Sequence, residues 1–159
     1  MRQRCHCHRW QSRHRAGHCR ETRDEEATVF VGDLFDERPA PVSSVERLAF
    51  APLDVTKEAS VRTFVEEVLQ KFGRIDILVN NAGVVIHKSI DEQTVEDWDR
   101  LMAVNLRGPF LMAKYVAAEM RRIGSGAIVN IGSVEGFVVN PGIQPMPPPR
   151  PACTVSRWD

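Results

Sequence analysis

The chain predicts an α/β fold, a partial doubly wound parallel sheet, on three observations. Several short runs are apolar throughout instead of alternating, as strands buried on both faces are. The runs alternate with stretches of helical periodicity, the order that builds a parallel sheet covered by helices. Polar residues or glycines stand at the C-terminal ends of the runs, where open parallel sheets gather their ligand sites.

The elements follow in order. Residues 27–31 (ATVFV) are a strand that ends at Gly32-Asp33, and residues 48–53 are a second. Val61, Phe64, Val65, Val68, Leu69 and Phe72 then recur at three- and four-residue steps, the stripe of an amphipathic helix. Gly73 follows, where a helix end tolerates a left-handed residue. Residues 75–79 (IDILV) are a third strand. Thr94 with Asp97 reads as a helix start, a hydroxyl and a carboxylate satisfying free N–H groups. One helix then carries Trp98, Leu101 and Met102, and a further one Phe110, Leu111, Val116 and Met120. Residues 127–131 (AIVNI) are a fourth strand.

Both ends differ from this middle. Residues 1–26 show neither strand nor helix periodicity, and their first twenty positions hold six Arg and no acid. From Pro141, six prolines fall in eleven residues, and proline lacks an N–H and locks φ, so no core strand or interior helix is expected there. Across the whole chain 21 basic residues balance 21 acidic ones, so no overall field favours nucleic acid or membrane as partner. No apolar run reaches membrane-spanning length, and no export signal is recognisable. Cys5, Cys7, Cys19 and Cys153 do not form a disulfide framework, and a cytoplasmic location is expected.

Four patches, in order, are Asp54-Val55 after the second strand, Asn80-Asn81-Ala82-Gly83 after the third, Asn105 in MAVNLRGPF, and Ser133 in IVNIGS. Together they resemble the short-chain dehydrogenase/reductase family over residues 27–140, the string LVNNAG being the most specific. The resemblance implies a Rossmann-like fold and hydride transfer between a nicotinamide cofactor and a small alcohol or ketone. It also implies a homo-oligomeric parent enzyme. By it, Asp33 accepts the ribose hydroxyls and repels a 2′-phosphate, which favours NAD over NADP. Asp54 and Val55 meet the adenine, and Asn81, Ala82 and Gly83 wall the cofactor. Ser133 steadies the substrate oxygen during hydride transfer, and Asn105 helps to hold a water in the proton relay. Each residue also has a plainer reading. Asp33 serves as a turn residue, Asp54 as a helix-entry residue, Asn80-Asn81 as turn chemistry, Gly83 as a strand terminator, Asn105 as a packed polar residue and Ser133 as a cap. Asn130 reads as structural.

The expected division is therefore 1–26 as a non-native or disordered basic tail, 27–140 as a partial dinucleotide-binding domain, and 141–159 as a Pro-rich irregular tail. The family opens with a strand and a T-G-x-x-x-G-x-G loop whose amides meet the pyrophosphate. Residues 1–26 hold one glycine, Gly17. The family's base is a Tyr about a dozen residues beyond the serine with a Lys four places later, and the pairing lowers the Tyr pKa. The chain's single tyrosine is Tyr115, four places before Glu119, and no lysine follows Lys114. The expected fold thus lacks its first strand-loop-helix and its C-terminal part, which exposes the centre of the sheet.

Both ends are accounted for by a truncated or frame-disrupted member. Read one base late, CHCHRWQSRHR from Cys5 permits A-I-V-T-G-G-N-R-G-I-G. Read two bases off, PMPPPR from Pro145 permits Y-A-A-S-K-A, with its tyrosine twelve residues beyond Ser133. Resequencing the gene through both ends checks this hypothesis, and absence of those codons rejects it.

Two readings of other classes stand beside the enzyme. Cys5, His6, Cys7, His8, His14, His18 and Cys19 are soft ligands for zinc or another transition metal, at a spacing that matches no familiar finger. The domain also reads as a catalytically dead dinucleotide-fold protein kept for partner contacts.

Overall fold

The computed structural model describes residues 4–8, 27–34, 48–132 and 154–158. Six strands form one sheet: β1 (Arg4–His8), β2 (Thr28–Asp33), β3 (Leu48–Pro52), β4 (Ile77–Asn80), β5 (Gly126–Asn130) and β6 (Thr154–Trp158). Their order is β3-β2-β1-β4-β5-β6. β1 to β5 run parallel, and β6 lies antiparallel on β5. The chain therefore turns about β1, between β2 on one side and β4 on the other, which is the switch point of a doubly wound sheet.

The α/β class and the parallel, partial sheet are as expected, but the two ends depart from expectation. Arg4–His8 fills the position assigned to a missing first strand, pairing Cys5 with both Val29 and Ile77. The inner edges of β2 and β4 are consequently paired rather than open. The physical reason is that ladder hydrogen bonds come from the backbone, and two facing strands leave unpaired N–H and C=O groups that any non-proline segment satisfies. At the other end Thr154–Trp158, beyond the proline cluster, supplies the antiparallel edge strand.

Helix α1 (Glu58–Phe72) buries Val61, Phe64, Val65 and Val68 and stops at Gly73, whose φ of 74° is left-handed. Helix α2 (Val95–Met102) begins at Thr94 in a reciprocal capping box with Asp97. The Asp97 N–H donates to Thr94 Oγ1 at 3.2 Å, and the Thr94 N–H donates to Asp97 Oδ2 at 3.1 Å. A π-helical turn (Ala103–Arg107) joins α2 to α3 (Gly108–Ile123). Helices α1 and α3 pack on one face of the sheet, where Phe30 meets Phe64 edge to face at 5.2 Å between ring centres. Ala27, Val29, Val31 and Leu48 form a second buried cluster, as the pleat's alternation with Phe30 requires. Phe110, expected among the apolar positions of its helix, is 62% exposed, and the stripe that packs inward is Leu111, Met112, Val116 and Met120. Among the described residues, no helix is long and apolar enough to cross a membrane.

Candidate active site

The C-terminal ends of β2, β3 and β4 converge on a pocket of about 280 Å³. β2 contributes Gly32 and Asp33, and the turn after β3 contributes Leu53, Asp54, Val55 and Thr56. The loop after β4 adds Ala82 and Val84, and α2 with its π turn adds Arg100 and Val104. Gly32 has a packing reason to be a glycine: a Cβ there would stand 2.9 Å from Phe64 Cε2 and from Leu53 Cβ. Gly108 has one as well, since a Cβ would sit 2.9 Å from Val55 Cγ2. The start of α3 thereby closes against the rim of the pocket.

Asp33 is buried, and its Oδ1 accepts the Leu34 N–H at 2.7 Å, which turns the chain out of the strand. Asp54 organises the entry to α1. Its Oδ1 accepts the Thr56 hydroxyl at 2.6 Å and the Thr56 N–H at 3.0 Å, and Lys57 Nζ lies 3.2 Å from Oδ2. Burial pushes the Asp54 carboxyl up, but the Thr56 hydrogen bonds and Lys57 more than offset it and hold the pKa below its usual value. Asp54 is thus an ionised helix-entry residue that also lines the pocket.

The loop after β4 is set by two amide clamps. Asn80 Nδ2 donates to Asn130 Oδ1 at 2.8 Å, tying the ends of neighbouring strands and bearing out the structural reading of Asn130. Asn105, buried in the π turn, accepts the Val84 N–H at Oδ1 and donates from Nδ2 to the Val84 carbonyl, both at 2.9 Å. An amide bonded at both ends to one residue's backbone acts as a strut, and it holds the segment Asn81-Ala82-Gly83 against the strand ends. Ser133 lies outside the described residues, as do the side chains of the Cys/His set at the N-terminus. Among the described residues no group of three or more His, Cys, Asp and Glu is placed to hold a metal ion.

The only tyrosine is elsewhere. Tyr115 on α3 donates its hydroxyl to Glu58 Oε1 at 2.7 Å, and Lys114 donates to the same oxygen at 2.7 Å. The hydrogen bond to Glu58 holds the Tyr115 phenol above its ordinary pKa. That is opposite to what a proton-exchanging tyrosine needs, and the trio ties α3 to α1 on the surface. Sequence reasoning missed Leu34, Thr56, Val84, Arg100 and Val104 as pocket residues. Only the four-residue step from Arg100 to Val104 would have signalled a shared helix face.

Comparison with known proteins agrees with this geometry. The family described as short chain dehydrogenase matches residues 16–145. An uncharacterized oxidoreductase of Thermotoga maritima is 46% identical over 117 residues, 70% of this chain and 46% of that protein. The 3-oxoacyl-[acyl-carrier-protein] reductase FabG of the same organism is 40% identical over 123 residues, 74% of this chain and 50% of its own length. The chain therefore spans about half the length of the curated relatives it matches. Among solved structures, a gluconate 5-dehydrogenase from Burkholderia cenocepacia, in complex with NADP and tartrate, superposes with a TM-score of 0.81 at 32% identity. That match covers 91% of this chain and 58% of that one. ElxO with NADP bound gives 0.83 at 26% identity, covering 92% and 61%. A doubly wound sheet, a pocket at its strand ends and a family match over most of the sequence lead to one conclusion: the chain belongs to the short-chain dehydrogenase family.

Proposed function

We propose that the parent of this chain is an NAD-dependent oxidoreductase acting on a secondary alcohol or the corresponding carbonyl, and that the literal chain holds only the nucleoside end of the cofactor. The observation that carries the proposal is the pocket at the strand ends, with the Asp33 and Asp54 carboxylates among apolar walls. That donor set fits a ribose diol and a purine. The nicotinamide ring, when bound, supplies the hydride chemistry. In this reading Asp33 accepts the ribose hydroxyls, Asp54 and Val55 flank the purine, and Asn81, Ala82 and Gly83 border the rest of the cofactor. Asn105 holds that border in place and contributes to a water site, and Ser133 steadies the substrate oxygen. The proposed setting is a cytoplasmic homo-oligomer.

Two of the solved relatives carry NADP. Here a 2′-phosphate would meet the buried Asp33 carboxylate, and such like-charge juxtaposition costs several kcal/mol. Titration of the purified chain should give NAD+ at least about tenfold tighter than NADP+, and Asp33→Asn should narrow that ratio. Tighter binding of NADP+ by the unaltered chain would reject the NAD assignment. With Tyr115 committed to Glu58, turnover by the 159-residue chain should be negligible, and NADH formation from a panel of secondary alcohols would show otherwise.

A further inference from the structure

Arg100 is the one cationic side chain among the described residues that line the pocket. It is exposed, and it also lines the surface trough on the outer side of α2, together with Thr56, Leu106 and Phe110. It therefore stands on the rim, between the pocket and solvent. Three acids lie within four positions of it, at Glu96, Asp97 and Asp99. Lys88 takes Asp97 at 2.6 Å, and among the described residues no ion pair engages Arg100. A guanidinium left unpaired beside acids, at the mouth of a pocket already holding two carboxylates, is available to a ligand.

We infer that Arg100 is a specificity residue of the pocket, laying its guanidinium over the face of the bound purine and closing the mouth. This rests on the nucleoside reading of the pocket given above. The charge pattern separates this role from a phosphate contact, because an anion drawn to Arg100 would have to share the pocket with Asp33 and Asp54. A flat, neutral π-system has no such conflict, and arginine stacks on aromatic faces more readily than lysine does. The pocket walls supply only aliphatic partners, Leu34, Val55 and Val104 among them, so Arg100 is the one planar group that lines it.

The test uses adenosine, which is neutral, and nicotinamide mononucleotide, which has no purine, titrated against the full chain by calorimetry. Arg100→Met keeps length and apolar stem but removes charge and plane, and should weaken adenosine about three- to tenfold. Arg100→Lys should fall between, with nicotinamide mononucleotide unchanged and the melting temperature of both variants unaltered. Wild-type affinity for adenosine in Arg100→Met would overturn the inference and leave the nucleoside reading standing. Failure of the unaltered chain to bind adenosine at millimolar concentration would overturn both. Loss of 2′-AMP binding by Arg100→Met, with adenosine binding intact, would make Arg100 a phosphate ligand and overturn the stacking role.

Discussion

Phe30→Ala should lower the unfolding free energy by about 3–5 kcal/mol, the largest loss expected from any single truncation in this core. Phe30 is 1% exposed on β2 and meets Phe64 at 5.2 Å and Phe72 at 5.7 Å between ring centres, both edge to face. Lys71 lies over the same ring at 5.2 Å. Truncation removes the apolar surface, both aromatic contacts and the cation–π contact, and it leaves a void between a rigid sheet and a helix pinned by four other buried side chains. A domain of this size holds roughly 5–15 kcal/mol in total. The melting temperature should therefore fall by about 10 °C or more. Urea denaturation of both proteins checks it, and a loss under about 1.5 kcal/mol would mean that the α1 face relaxes to fill the space.

Asn105→Leu should cost about 2–4 kcal/mol, with a functional signature that Phe30→Ala lacks. The substitution keeps volume and helix propensity but leaves the Val84 N–H and carbonyl without their partners, at about 1–3 kcal/mol for each group so stranded. Val84 lines the pocket, so the loop that carries Asn81, Ala82 and Gly83 loses its strut just where a ligand would sit. Ligand affinity should fall even in conditions where the variant is fully folded. Asn105→Asp keeps an acceptor for the Val84 N–H but offers its carbonyl no donor, and should fall between. Unchanged stability together with unchanged nucleoside affinity in Asn105→Leu would remove the strut role.

What could be read in the letters was whatever depends on local chemistry. The stripe Val61, Phe64, Val65, Val68 names the buried face of α1, Gly73 its end, and Thr94 with Asp97 the start of α2. Asp33, Asp54 and Ala82 were placed correctly at the pocket because strand ends are where such folds gather ligands. Three things were not legible. Arg4–His8 has no strand-like pattern, yet it is the central strand, because its place is decided by the backbone edges of β2 and β4. Those are also the residues whose shifted reading spells A-I-V-T before a glycine loop, so the strand stands where a frame-disrupted member requires one. Asn105 was read through a family role, whereas its side chain is spent on Val84, a partner 21 residues away. Phe110 looked like core, but the π turn before α3 resets which residues face inward.

That turn also sets a rule for how this stretch of gene can change length. Removing one residue from Ala103–Arg107 would restore a regular helical ladder and leave every hydrogen bond satisfied locally. It would also rotate α3 by about 100° against α2. Leu111, Met112, Val116 and Met120 would swing away from the sheet, and Lys114 and Tyr115 would lose Glu58. Single-codon deletions should therefore be purged between the Thr94 cap and Gly124, although point substitutions on the exposed face are absorbed. The distance between those two residues is a counting constraint, inherited as a number of codons rather than as any particular side chain.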